Sequence, residues 1–330
     1  MGIKNLNSFI KKHSQNGIKD ITISDLQNRT IAVDTSIFMY KFMYSHRFID
    51  NFIQQLFHLK SFNIKPIYIF DGKPPDEKKE VLDSRKESKI KISNKILELE
   101  EKRSKLVDSN EIDNINKEIQ SIRKKQIIVT KSDVSNLKKV FDILNVDYIQ
   151  ADCEADLLCC ELYKNNKVYA CLSNDMDFLP SGAGRLLRNY NLSNNLQLYD
   201  LQTILQDLDL TYEQFVDFCI LCGCDYTCKI SRLGPETAFK VVKQYKNIEG
   251  ILENICGEGK QFKMPNNFDY QGARKLLKNE LQTLDINDIV NSMDVKMYKN
   301  IKNDDMDFIL SNTKYSEDVL RKKAEIILRC

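Results

Sequence analysis

Three short apolar runs are separated by longer stretches in which apolar residues recur at helical spacing. The runs lie at 30–33, 66–70 and 168–172. Each run is short, rich in β-branched or aromatic residues and followed by polar residues, which is typical of strands buried on both faces of a parallel sheet. The pattern predicts an α/β fold with a mostly parallel central sheet flanked by helices.

Two other segments have patterns of their own. No glycine or proline occurs between Asp76 and Leu179, and residues 76–126 carry many charges and few apolar positions. A core helix would have a wider apolar stripe, so 76–126 predicts long solvated helices that project from the sheet and are interrupted near 107–110. Residues 211–330 predict a second, helical region with turns at Gly223, at Gly234 and at 257–259. We therefore predict two regions, an α/β region at 1–210 and a helical region at 211–330.

Composition narrows the class of protein. The chain has 330 residues, of which 42% are apolar, enough for an ordinary packed core. Its net charge is only +2, so any attraction to phosphate must come from local basic stretches. No secretory segment opens the chain and no apolar run is long enough to span a membrane, so we expect an intracellular protein with reduced cysteines, nuclear or cytoplasmic.

Carboxylates follow all three predicted strands at the point where each strand ends. Asp34 follows the first strand and Asp71 the second, while Asp175 and Asp177 come just after the third. Because the carboxyl ends of parallel strands form one crevice, we expect these side chains to meet there. Asp175 and Asp177 would point to the same side if their segment were extended. Three further acids stand at a predicted helix start or turn: Glu154, Asp156 and Asp225.

Crowded carboxylates stay ionised only beside cations, and oxygen ligands suit Mg²⁺ or Mn²⁺. Two such ions about 3.5–4 Å apart can clamp a scissile phosphate. The alternative is that each aspartate merely caps a helix or ends a strand. That alternative explains any single residue as well as the metal hypothesis does, but it explains the whole set less well.

The motifs that contain these acids resemble the flap endonuclease family of structure-specific 5′ nucleases. The matching segments occur in family order across most of the chain. They are Met1-Gly2-Ile3, Val33-Asp34-Thr35-Ser36, Phe70-Asp71-Gly72-Lys73-Pro74-Pro75, Glu154-Ala155-Asp156, Asn174-Asp175-Met176-Asp177, Gly223-Cys224-Asp225-Tyr226 and Leu233-Gly234-Pro235. The resemblance implies hydrolysis of DNA phosphodiester bonds at 5′ flaps or 5′ ends with two Mg²⁺ ions, for which Mn²⁺ can substitute, in replication, repair or recombination.

The resemblance also implies roles for individual residues. One metal would use Asp34, Asp71, Glu154 and Asp156, and the other would use Asp175, Asp177 and Asp225. Asp156 is one methylene shorter than the glutamate that the family has there. Lys78 and Arg85 would neutralise charge on the phosphate, and Tyr40 would stack on a base. The alternatives are two ordinary surface cations on one helix face and a core tyrosine.

Further residues are expected to contact nucleic acid. Residues 76–126 would form a helical arch for the 5′ single strand, with the basic run Arg123, Lys124 and Lys125 near its end. A helix-two-turn-helix at about 213–250, which includes Gly234, would bind duplex DNA, and Gly2 and Gly234 would contact nucleic acid. The family holds a K⁺ in the turn between the two helices. Here Lys229 replaces the serine ligand and Arg232 a glycine, so we expect Lys229, helped by Arg232, to act in place of K⁺.

Four cysteines of the same region, Cys219, Cys222, Cys224 and Cys228, suggest a zinc site as an alternative, but they lack the paired spacing of a zinc knuckle. Cys219 and Cys222 share an apolar helix face with Phe215 and Phe218, which predicts burial in the core.

The chain also departs from the family. The stretch between Tyr40 and Asp71 is short, which weakens the expectation of a 3′-flap pocket, and Glu236 and Thr237 replace basic residues after Gly234. No sliding-clamp docking motif is seen, and we expect a monomer. Two alternative functions remain open, an RNA-cleaving relative and a non-catalytic DNA-binding scaffold; the sequence alone does not choose between DNA and RNA.

Overall fold

A seven-stranded sheet forms the centre of the protein, which is described here by a computed structural model covering residues 2–45, 47–106, 108–123, 128–256, 262–279 and 301–329. The strands are β1 (Ile18–Thr22), β2 (Thr30–Asp34), β3 (Lys65–Phe70), β4 (Tyr148–Gln150), β5 (Ala170–Leu172), β6 (Arg185–Arg188) and β7 (Asn195–Asp200). Their order is β1-β7-β6-β5-β2-β3-β4. Only β7 runs against the others within this sheet, since it pairs antiparallel with both β1 and β6. The mostly parallel sheet predicted from the sequence is confirmed.

The three predicted strands are β2, β3 and β5, and they are neighbours at the middle of the sheet. Their side chains alternate between two hydrophobic cores, as pleated strands covered on both faces require. Ala32 of β2 belongs to one core, whereas Ile31 and Val33 belong to the other. The third predicted run, 168–172, is a strand only from Ala170 onward.

Helices cover both faces of the sheet. They are α1 (Leu6–His13), α2 (Thr35–Met43), α3 (Phe48–Ser61), α4 (Lys79–Ser104), α5 (Ser109–Arg123), α6 (Lys131–Ile143), α7 (Ala155–Lys164), α8 (Leu201–Leu208), α9 (Tyr212–Cys222), α10 (Pro235–Tyr245), α11 (Ile248–Ile255) and α12 (Tyr270–Leu277). Two more helices, Asn303–Ser311 and Glu317–Arg329, follow near the end of the described chain. Two short 3-10 helices span Ile23–Leu26 and Asp76–Lys78. None of the helices within the described ranges is long and apolar enough to cross a membrane.

The helices after residue 211 share their cores with the sheet. Phe215 and Phe218 of α9 lie in the same core as Ile67 and Ile69 of β3, and Ile309 and Leu320 lie in the core on the opposite face. Cys219 and Cys222 are fully buried, as predicted. The division of the chain at residue 210 stays a prediction.

Helices α4 and α5 follow β3 and form a helical hairpin, in which α4 ends at Ser104 and α5 begins at Ser109. This arrangement confirms the long charged helices and the interruption expected from the sequence. The hairpin has a small hydrophobic core of its own, made by Ile96 and Leu99 of α4 with Ile115 and Ile119 of α5. Because α4 and α5 contact each other through few apolar side chains, the hairpin depends on each of these residues.

Leu99→Ala should therefore loosen the hairpin without unfolding the sheet. Removing a buried leucine side chain typically costs about 2–5 kcal/mol, and Leu99 is 6% exposed. We expect faster amide hydrogen exchange in residues 79–123, while strands β2, β3 and β5 keep their protection. Leu97→Ala is the matched control, since Leu97 lies on the same helix and is 62% exposed. Equal exchange in both variants would contradict the hairpin core.

Candidate active site

The carboxyl ends of β2, β3 and β5 form one acid-lined cavity of about 270 Å³. Asp34 ends β2 and caps α2, where its Oδ1 accepts from the amide of Ile37 at 3.3 Å. Asp71 follows β3, and its Oδ1 accepts from the amide of Ala155, the first residue of α7, at 2.8 Å. Parallel strands and helix N-termini thus deliver carboxylates to the same edge.

The structure brings all seven predicted acids to this edge. The acids that line the cavity are Asp34, Asp71, Glu154, Asp156, Asp175 and Asp225. Asp177 lies beneath the cavity, 2% exposed, and its Oδ1 accepts from the amide of Ile3 at 2.7 Å. Asp177 is therefore tied to the start of the chain and does not form part of the cavity wall.

The segment that carries Asp175 and Asp177 is not an extended strand: it bends after β5 and forms a turn from Asp177 onward, so the alternation of an extended segment does not apply. The amide of Asp177 donates to Asp175 Oδ1 at 3.2 Å, and the amide of Asp175 donates to the Ser173 hydroxyl at 3.0 Å. Short polar side chains compete for backbone amides in this way and fold the chain locally. The carboxylates of Asp175 and Asp177 nevertheless lie close together, since both face Gly2.

Gly2 fits this position because it has no side chain. Its φ is +83°, and a Cβ there would lie 2.0 Å from Asp175 Oδ1 and 2.6 Å from Asp177 Oδ1. Any other residue would have to displace these carboxylates as well as adopt a strained backbone. The structure therefore places Gly2 at the acid cluster, whereas its contact with nucleic acid stays a prediction.

Burial and mutual repulsion disfavour the charged forms of several acids. Burial, with Asp71 nearby, raises the pKa of Asp34 to about 7, although the Ser173 hydroxyl donates to Asp34 Oδ2 at 2.8 Å. Burial also raises the pKa of Asp156, with Glu154 as the closest repelling charge, and the pKa of Asp177, with Asp175 and Asp225 as neighbours. The edge thus holds more negative charge than its own surroundings neutralise.

Lys78 is the cation that reaches into this cluster. It ends the 3-10 helix just before α4 and is only 9% exposed, so it is not an ordinary surface lysine. Its Nζ donates to Glu154 Oε1 at 2.5 Å and lies 3.9 Å from Asp225 Oδ2. Burial opposes the charged amine, but Glu154, with Asp156 and Asp225, holds the pKa of Lys78 above its usual value.

The acids suit a hard divalent cation by their chemistry. All are oxygen donors, and the raised carboxyl pKa values show that burial and repulsion disfavour their charged forms, which a bound cation would stabilise. Throughout the described ranges, however, no three acidic, histidine or cysteine side chains converge closely enough to enclose an ion in the present arrangement. Lys78 sits between Glu154 and Asp225, so ion binding there requires side chains to rotate.

Other predicted residues lie at or near the cavity. Tyr40 borders it and is 42% exposed, so the alternative of a core tyrosine is wrong. Arg85 lies within α4, but its side chain is outside the described residues, as is that of Arg123. Lys124 and Lys125 are also outside them.

The turn between α9 and α10 carries the remaining candidates. Gly234 is the N-cap residue of α10, and no described residue lies within 4 Å of a Cβ built on it. Arg232 has φ +65°, the left-handed conformation that glycine adopts most readily, at a cost of about 1–2 kcal/mol. The Lys229 side chain lies against Gly223, with its Cδ 3.3 Å from a Cβ built there. Glu236 accepts from Lys12 at 2.6 Å and contacts His13 at 2.9 Å.

Sequence reasoning missed two residues that hold the site together. Arg188 of β6 is 8% exposed and donates to the carbonyl of Asn174 at 2.8 Å, next to Asp175. Its strand was not predicted, so no signal pointed to it. Tyr226 donates to Glu154 Oε2 at 2.9 Å, and its position directly after Asp225 could have indicated a role.

A cluster of acids at the carboxyl edge of a mostly parallel sheet, close to the base of a helical hairpin, is an arrangement that suits a nuclease. The XPG N-terminal domain matches residues 1–92 and the XPG I-region matches residues 145–225. The chain is 33% identical to flap endonuclease 1 of Entamoeba histolytica over 296 residues, covering 84% of this chain and 75% of that protein. It is 32% identical to flap endonuclease 1 of Danio rerio over 348 residues, covering 100% of this chain and 87% of that protein.

Structural comparison gives the same architecture. The catalytic core of Rad2 in complex with DNA substrate matches with a TM-score of 0.65 and 21% identity, covering 99% of this chain and 100% of that one. The chain belongs to the flap endonuclease family, as its motifs indicated.

Gly2→Ala should impair catalysis by displacing the acids. The methyl group would collide with Asp175 and Asp177, and misplacement of catalytic groups by about 1 Å can cost roughly 100-fold in rate. We expect kcat on a flap substrate to fall by about 10–100-fold at temperatures where the variant stays folded, as its melting temperature will show. Unchanged kcat would show that the acids do not need this contact.

Proposed function

We propose that the protein hydrolyses DNA phosphodiester bonds at 5′ flaps or 5′ ends with two Mg²⁺ ions. The observation that carries the proposal is the meeting of seven carboxylates at one sheet edge in a chain of the flap endonuclease family. Asp34, Asp71, Glu154 and Asp156 would hold one ion, and Asp175, Asp177 and Asp225 the other. Such ions supply water activation and neutralise charge on the phosphate. The role would be in replication, repair or recombination, in nucleus or cytoplasm.

The chain's own residues would bind and orient the substrate. Tyr40, exposed on the cavity wall, would stack on a base beside the scissile bond. Lys78 and Arg85, before and within the first hairpin helix, would contact the phosphate, and the hairpin would receive the 5′ single strand. The partner is branched or 5′-ended DNA, bound by a monomer, and RNA is the alternative substrate.

Asp175→Ala and Asp34→Ala should separate chemistry from binding. Each removes an expected metal ligand, so flap cleavage should fall by about 1,000-fold or more while duplex affinity stays within a few-fold. Asp152→Ala is the matched control, because Asp152 is exposed two residues before Glu154 and is not in the acid set.

The cleavage panel compares a 5′-flap DNA, the same flap as RNA, a nicked duplex and a single strand, each with Mg²⁺ and with EDTA. Near-normal turnover in Asp175→Ala would contradict the metal assignment. Faster cleavage of the RNA flap would select the RNA-cleaving alternative, and no cleavage of any substrate would select the scaffold.

We also propose that Lys229, helped by Arg232, replaces a K⁺ ion in the turn before α10. An ammonium can donate both to carbonyls and to a phosphate, and Arg232 keeps a glycine-like backbone. Wild-type duplex affinity should not change when K⁺ is exchanged for tetramethylammonium at fixed ionic strength, whereas Lys229→Ser should become K⁺-dependent.

The control for Lys229→Ser is Lys240→Ser, which removes an exposed lysine from α10. This variant should weaken binding, if at all, equally in both salts. A sharp loss of wild-type affinity without K⁺ would show that Lys229 is not the substitute.

A further inference from the structure

Glu154 has an unusual position for an acid at a helix start. It is the N-cap residue of α7, yet its carboxylate accepts no hydrogen bond from the helix amides. Asp34, the N-cap residue of α2, does cap its helix. Since N-cap acids usually bond to the first free amides, another interaction must direct Glu154 away from its own helix and into the cavity.

Tyr226 supplies that interaction. Its hydroxyl donates to Glu154 Oε2 at 2.9 Å, while Lys78 donates to Oε1. The tyrosine ring is 5% exposed, so the hydroxyl has little access to water. A tyrosine hydroxyl is protonated at neutral pH, so it can donate to the carboxylate.

The same ring also faces Lys78, whose Nζ lies 5.4 Å from its centroid. Tyr226 therefore contacts both members of the Lys78–Glu154 ion pair. It also directly follows Asp225, so it connects the turn after α9 with the N-terminus of α7 and the base of the hairpin. These three elements are far apart in sequence, and Tyr226 touches the functional side chains of two of them.

We propose that Tyr226 is a positioning residue of the metal site. Its hydroxyl holds Glu154 in the orientation that a metal ion needs, and its ring guides Lys78 as the ammonium leaves Glu154 for the substrate phosphate. The proposal rests on the two-metal function proposed above. Residues that orient a metal ligand typically change metal affinity or activity by about 10–100-fold when they are altered.

Tyr226→Phe tests the hydroxyl, because it keeps the ring. Without DNA, the Mg²⁺ concentration at half-maximal rise of the melting temperature should increase about tenfold or more. The Mg²⁺ concentration for half-maximal flap cleavage should increase in parallel, while KM for DNA stays within about twofold. Tyr226→Leu removes the ring as well, and should lower kcat further at saturating Mg²⁺.

Tyr68→Phe is the matched control. Tyr68 is fully buried and its hydroxyl donates to Gln55 Oε1 at 3.0 Å, within the hydrophobic core that lies away from α7. It should leave both Mg²⁺ midpoints unchanged. If Tyr226→Phe lowers only the melting temperature, as Tyr68→Phe does, and leaves the Mg²⁺ midpoints unchanged, the positioning role is overturned.

A double variant keeps the test decisive if Tyr226→Phe is less stable than expected. In a Glu154→Gln background, Tyr226→Phe should add no further increase in the Mg²⁺ midpoint of the melting temperature, since the hydroxyl acts through Glu154. An equal increase in both backgrounds would overturn the proposal. Absence of Mg²⁺-dependent cleavage by the wild type would instead refute the proposed function, whatever the variants do.

Discussion

Negative charge concentrated at one edge of the sheet is the constraint to which the neighbouring elements respond. Asp34 and Asp177 are buried there and Asp156 is partly buried, each beside other acids, and this desolvation and repulsion raise the pKa of all three. A buried carboxylate needs donors or cations to remain charged. Donors come from the loop after β5, from the start of the chain and from the base of the hairpin, through Ser173, Ile3 and Lys78.

The topology that brings the acids to one edge of the sheet also brings the N-termini of helices there, and these carry partial positive charge. In a parallel sheet each strand end leads to the start of a helix on the same edge, and helix N-termini favour anions. Asp34 uses the N-terminus of α2 directly, and Asp71 uses the first amide of α7. Helix ends alone do not balance the cluster, since the pKa of Asp34 is still raised to about 7. The proposed divalent cation would supply positive charge that the helix ends alone do not provide.

The sequence predicted the centre of the fold and the acids well, and for a shared reason. β2, β3 and β5 are buried on both faces, so they are continuous apolar runs, and the acids stand where the runs end. Strands β1 and β4 are partly exposed along their length, so they do not form continuous apolar runs. The charged hairpin was predictable because α4 and α5 contain no helix breaker and few apolar residues.

Contacts between distant segments could not be predicted from local pattern. The tie between Asp177 and Ile3 and that between Glu154 and Tyr226 span 174 and 72 residues. The bend after β5 depends on side-chain bonds to backbone amides, which periodicity does not reveal. The sequence placed Tyr226 in the motif that contains Asp225, but it did not indicate the contact with Glu154.

Lys78 links the acid cluster to the helical hairpin. Its ammonium contacts Glu154, and its backbone directly precedes α4. Lys78 therefore connects the acid cluster with the base of the hairpin. An ammonium fully engaged by a carboxylate neutralises a phosphate less effectively. A cation bound by the carboxylates would release Lys78, and an arriving phosphate would then be its strongest acceptor. If the carboxylates bind a cation as proposed, metal binding and substrate contact would be coupled through Lys78, because the cation and the ammonium would both interact with Glu154.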